Sequence, residues 1–74
     1  MKVEYEFKNC LKRIGENIRR LRKEKHMSVE DLANLSYSNV HDFEQFEDGT
    51  REMGVFALIK IADGLNVKVE ELLM

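Results

Sequence analysis

The 74 residues suffice for one domain, and a chain of this size buries only about 60% of the surface it exposes unfolded, which leaves little room for a deep enzyme pocket. With no proline and only four glycines, the strand-and-turn punctuation of a sandwich or barrel is missing, while 43% apolar residues suit one helical core. The net charge of −2 hides an asymmetry: residues 1–26 carry nine Lys/Arg against four Asp/Glu, whereas residues 27–56 carry only Arg51 against seven acids.

In chain order, residues 2–8, KVEYEFK, alternate strictly, with Val3, Tyr5 and Phe7 on one side. Period two predicts a half-buried strand. The competing reading is the start of the following helix, because Phe7 also joins its apolar stripe; the strand is favoured. A lone strand needs a partner, none is evident later in the chain, and antiparallel pairing with a second copy is expected to supply it. Over residues 9–25, Leu11, Ile14, Ile18 and Leu21 recur at helical spacing, and the other faces carry Lys12, Arg13, Arg19, Arg20, Lys23 and Lys25. His26 stands where a helix ends in the left-handed conformation.

Ser28 is the expected N-cap of a second helix, with Glu30 and Asp31 suited to its positive end. Val29, Leu32, Ala33 and Ser36 share one face of it, and Ala33 is small enough for another helix to cross closely. Asn39 caps a third helix, NVHDFEQFEDG. There Phe43 and Phe46 face a core, while Val40, His41, Glu44 and Gln45 face outward, although Val40 could equally complete the core stripe. After the loop DGTREMG, Val55, Leu58, Ile59, Ala62 and Leu65 mark a fourth helix that stops at Asn66, and Val69, Leu72 and Leu73 mark a short fifth. The aromatic stripe Phe43–Phe46–Phe56 is read as core.

Two short helices joined by a three-residue turn, with alanine inside the first and aromatic anchors in the second, describe a helix-turn-helix. The stretch IGENIRRLRKEKHMSVEDLANLSYSNVHDFEQFEDGTREMGVFALIKIADGLNVKVEELL, from Ile14 to Leu73, resembles the lambda-repressor/Cro-like, or XRE, family. The resemblance implies an all-α, five-helix domain over residues 9–74, with the helix-turn-helix at about 28–47; residues 1–10 lie outside the match, and residues 1–8 are read as an N-terminal extension carrying the short β-strand that period two predicts. It also implies that the third helix enters the DNA major groove. Carried over residue by residue, this assigns base edges to Val40, His41, Glu44 and Gln45, and the DNA backbone to Ser28, Asn39, Thr50 and Arg51. It further implies an ion pair between Arg22 and Glu47.

The chemistry of these side chains fits that assignment. Gln45 offers a donor and an acceptor to an adenine edge, His41 can donate to guanine, Val40 can touch a thymine methyl, and Glu44 can accept from cytosine. Several residues depart from the family pattern. Val29 replaces a glutamine that braces a phosphate, Tyr37 the turn glycine, Ser38 a buried valine, Asp48 an amide or basic residue, Thr50 a loop lysine and Met53 a proline. Asp42 suits the helix N-terminus, but Glu44 and Asp48 have no assigned internal partner and are expected to project toward DNA. Arg51 is the only cation in that region, so binding should be weak or strongly salt-limited.

Little else points to chemistry. His26, His41 and Cys10 lack metal-ligand spacing, and no glycine-rich phosphate loop or nucleophile motif occurs. No metal, cofactor, small-molecule ligand or catalytic role is expected. The single cysteine fits a reducing cytoplasm, and the chain has neither a signal-peptide run nor the ~20 apolar residues that span a bilayer. The sequence therefore reads as a cytoplasmic transcriptional regulator, a homodimer on a near-palindromic double-stranded DNA operator. The alternative is a protein-interaction module that keeps the scaffold with weak or lost DNA binding.

Overall fold

The computed structural model describes residues 2–74, with side chains from residue 6 onward. Five helices follow one another: α1 (Lys2–Glu24), α2 (Val29–Leu35), α3 (Val40–Asp48), α4 (Val55–Leu65) and α5 (Val69–Leu73). No strand occurs among the described residues. Segment 2–8 is the first part of α1, which corrects the expected strand. Phe7 lies on the stripe Phe7–Leu11–Ile14–Ile18–Leu21, so the helical period extends back to Phe7. An isolated strand would also leave its backbone groups unpaired, whereas a helix satisfies them internally. Phe7 is 47% exposed in the single chain, and the side chains of Val3 and Tyr5 lie outside the described residues.

The core gathers Ile18 and Leu21 of α1, Leu32 and Ala33 of α2, Phe43 and Phe46 of α3, Ile61, Ala62 and Leu65 of α4, and Leu72 of α5. Each large member contributes about 1.5–3 kcal/mol on burial. Phe43 and Phe46 meet edge to face at 6.5 Å. One expected core position is corrected: Phe56 is 63% exposed, and Val55 and Ile59 of the same helix also lie on the surface, because the face of α4 turned inward is the Leu58–Ile61–Ala62–Leu65 side.

The helix ends follow the local chemistry. Ser28 Oγ accepts the Asp31 N–H (3.0 Å), and the Asp31 carboxylate accepts the Ser28 N–H in return. Asn39 Oδ1 accepts the Asp42 N–H at 2.7 Å. His26 and Asn66 take the left-handed conformation expected of them (φ 56° and 57°) and close α1 and α4. Asn17 Nδ2 donates to the Leu72 carbonyl at 2.9 Å, which ties α5 to the middle of α1.

The crossing of α1 and α3 depends on Gly15, where a methyl group would run into the backbone carbonyls of Phe46 and Glu47. The C-terminal end of α3 therefore lies directly against α1, and this contact fixes how α3 is presented.

Candidate functional site

The turn from α2 to α3 sets the direction of α3. Ser36 is buried, and its hydroxyl donates back to the Leu32 carbonyl at 2.8 Å, while the Ser38 N–H reaches the Ala33 carbonyl at 2.8 Å. Tyr37, between them, adopts the left-handed conformation (φ 58°) that favours glycine. That conformation costs a bulky residue about 1–2 kcal/mol. Tyr37 is 76% exposed, stacks on Phe56 at 6.1 Å, and has the Lys60 ammonium 5.6 Å from its ring centre. This stacking gives the strained residue partners that a glycine would lack.

On its inner side α3 is held by charge as well as by Phe43 and Phe46. Glu47 is only 4% exposed. Arg22 donates to it twice, Nε to Oε2 at 2.7 Å and Nη2 to Oε1 at 3.2 Å, and Arg19 Nε adds a third bond at 3.3 Å. Arg22 Nη1 also donates to the Met27 carbonyl, so the same side chain ties the α1–α2 turn. The ion pair implied for Arg22 and Glu47 is present in the fold. Arg19 Nη2 reaches Asp48 Oδ1 at 2.7 Å. Asp48, and secondarily Glu47, hold the Arg19 guanidinium above its ordinary value, against partial desolvation. Asp48 therefore has an internal partner, contrary to the expectation drawn from the sequence. The spacing carried a signal for it: Arg19 lies one turn before Arg22, as Asp48 lies next to Glu47.

The outer side carries the residues assigned to DNA. Val40, His41 and Glu44 are exposed and Gln45 is half-buried. Val40 is 39% exposed, which places it on the surface and not in the core stripe. Glu44 makes no ion pair among the described residues, whereas Asp42 lies 3.6 Å from Arg51 Nη1. Arg51 Nη1 also donates to Gln45 Oε1 at 3.3 Å. Ser28 and Asn39 are exposed, but each already caps its helix. Thr50 folds back, its N–H donating to the Gln45 carbonyl at 3.0 Å. Val29, in place of the phosphate-bracing glutamine, packs against the core.

Among the described residues no three His, Cys, Asp or Glu side chains converge as a metal group, no enclosed cavity forms, and no helix is long and apolar enough to cross a membrane. Cys10 is exposed on α1.

No protein-family model and no curated protein matches the chain. Among solved structures, the chain is similar to the restriction-modification controller protein C.AhdI from Aeromonas hydrophila. The two are 32% identical with a TM-score of 0.81, over 84% of this chain and 94% of that one. It also shares its fold with the clp gene regulator ClgR from C. glutamicum, at 22% identity and a TM-score of 0.82 over 86% and 83% of the two chains. The extent of the first match agrees with the helix-turn-helix geometry, the left-handed turn and the buried Arg22–Glu47 pair. The chain belongs to the lambda-repressor/Cro-like, or XRE, family of helix-turn-helix DNA-binding regulators.

Proposed function

We propose that the protein is a sequence-specific transcriptional regulator that lays α3 in the major groove of double-stranded DNA. The observation that supports this reading is the row of outward side chains, Val40, His41, Glu44 and Gln45, on a helix whose opposite side is locked to α1. His41 and Gln45 can bond base edges, Val40 can touch a thymine methyl, and Glu44 can accept from cytosine. Ser28, Asn39, Thr50 and Arg51 flank this row and take the DNA backbone. Regulation follows from occupying a promoter in the cytoplasm, with no catalytic step. Purified protein incubated with a randomised duplex library at several salt concentrations tests the reading. Enrichment of one recurrent half-site is expected, with affinity falling steeply as salt rises.

A second reading, a protein-interaction module, is favoured by Glu44, which has no ion-pair partner among the described residues, and by the exposed apolar side chains Tyr37, Val55, Phe56 and Ile59. It predicts no enrichment of any sequence even at low salt.

We also propose that the regulator acts as a homodimer on a near-palindromic site, so that two copies of α3 occupy successive major-groove turns. Two surfaces offer themselves to a second copy: Phe7 on the N-terminal part of α1, and the Tyr37–Phe56 surface. Sedimentation of a chain lacking residues 1–8 and of Phe56→Glu separates them. The variant that becomes monomeric identifies the interface, and two variants that both dimerise like the parent sink both placements.

A further inference from the structure

The end of α3 does more than stop a helix. Gly49 is left-handed (φ 73°), its N–H donates to the Phe46 carbonyl at 3.2 Å, and the Thr50 N–H donates to the Gln45 carbonyl at 3.0 Å. This paired closure reverses the chain over the last turn of the helix. Any side chain at Gly49 would be strained, and a Cβ there would lie 2.7 Å from the Lys12 Cα, so the path is confined by α1 as well. Arg51, two residues after Gly49, consequently lies alongside the outer face of α3. There its Nη1 meets Asp42 Oδ1 at 3.6 Å and Gln45 Oε1 at 3.3 Å. Asp42 is itself held by Asn39, which both caps it and donates to its carboxylate at 3.3 Å. Asn39, Asp42 and Gln45, three residues apart along the helix, thus form one line closed by Arg51.

A guanidinium only donates, so the group of Gln45 that faces it must be the carbonyl oxygen, and the NH2 turns the other way. The paired contact of a glutamine with adenine needs the oxygen and the NH2 presented together, one accepting from N6 and the other donating to N7. With its oxygen drawn to Arg51, which takes one of its two lone pairs and stands on that side of the amide, Gln45 turns its NH2 donors toward the groove. Guanine offers two acceptors, N7 and O6, at its major-groove edge, thymine one, and cytosine presents a donor. The positive charge of Arg51 beside the amide favours the same electronegative edge.

We infer that Arg51 is a positioning residue that fixes the amide of Gln45 as a donor, so that Gln45 selects guanine instead of adenine. This rests on the reading of α3 as the base-contacting helix. Its place in the sequence explains why it escapes notice: Arg51 looks like a phosphate contact, and only the closure at Gly49 brings it to Gln45.

Selection from a randomised duplex library at fixed salt, with the parent, Gln45→Ala, Arg51→Ala and the double variant, tests the inference. The parent is expected to prefer guanine at one half-site position, and Gln45→Ala to erase that preference. Arg51→Ala is expected to shift the ratio of adenine to guanine at that position by about five- to tenfold toward adenine. In the Gln45→Ala background, removing Arg51 should leave that position unaltered. If Arg51→Ala weakens binding to all sequences by one factor and guanine remains preferred, Arg51 is a phosphate contact only and the inference is overturned. A parent that selects adenine through Gln45 overturns it too. If the parent enriches no sequence at all, the DNA-reading assignment of α3 fails, and the inference falls with it, a result distinct from the other two.

Discussion

The two faces of α3 carry similar residue types and treat them in opposite ways. The inner face has Glu47, bonded to Arg22 and Arg19 of α1 beside Phe43 and Phe46 in the core, and at its edge the exposed Asp48 is bonded to Arg19. The outer face has Asp42 and Glu44. Asp42 is capped by Asn39 and approached by Arg51, while Glu44 has no cationic partner among the described residues. Four carboxylates in nine residues make the helix look hostile to DNA when counted along the chain. Counted after pairing among the described residues, one is left bare. The acidity of a helix toward a ligand depends on which charges the fold neutralises.

The inner face can be broken most severely at Glu47. Its carboxylate is buried with three arginine N–H bonds, so removing it strands the largely buried Arg22 charge and removing Arg22 strands the carboxylate. Glu47→Ala and Arg22→Ala should each cost about 3–5 kcal/mol. Apolar replacement of both together should recover much of that loss, because a well-packed apolar pair avoids the desolvation of two ions. Chemical denaturation of the three variants measures this. Single variants as stable as the parent would show the pair to be energetically idle.

Gly15→Ala tests the same face from the α1 side. The added methyl meets backbone carbonyls, which cannot rotate away as a side chain would, so α3 must shift. Overpacking of this kind costs about 1–3 kcal/mol. Thermal unfolding reports the loss. An increase in melting temperature, the usual result of replacing a helical glycine by alanine, would mean that the two helices separate freely at this crossing.

These inner contacts were unevenly legible. The apolar stripes of α1 and α2, the caps at Ser28 and Asn39, and the left-handed stops at His26 and Asn66 followed from residue type and spacing, since each is decided within one or two turns. Residues 2–8 escape a sequence reading because KVEYEFK satisfies period two and, through Phe7, period 3.6; a strand requires an edge to pair with, which local pattern cannot report. Phe56 escapes it for a related reason. Apolar character put it in the core, but the orientation of α4 is fixed by Ile61, Ala62 and Leu65, and Phe56 is left to stack on Tyr37. Gly15, and the reach of Arg51 to Gln45, depend on how elements distant in sequence meet.

The outer face is sharpened by Glu44→Gln. If Glu44 accepts from a cytosine amino group, the change should alter the preferred base at one position, with a discrimination of about 1–3 kcal/mol. Library selection beside the parent resolves it. An unchanged preference with uniformly tighter binding would mean that Glu44 merely repels phosphate.

The smallest expected effect on stability lies at the boundary of the two faces, at Asp48. Its bond to Arg19 is short, but both side chains are well exposed, at 56% and 42%. Exposed pairs contribute at most about 1 kcal/mol, and Asp48→Asn should cost no more than that. The effect on DNA binding has a different origin. Asp48 neutralises one of the two arginines that hold the C-terminal end of α3, and the substitution leaves Arg19 with Glu47 as its remaining acidic partner. The local charge becomes more positive by one, without any base contact being altered. Binding should therefore tighten by a similar factor for all sequences, and the gain should shrink as salt rises. Arg19→Gln combined with Asp48→Asn restores the local charge and should return the affinity close to that of the parent. A change in base preference on Asp48→Asn would place Asp48 among the base-reading groups of the outer face instead.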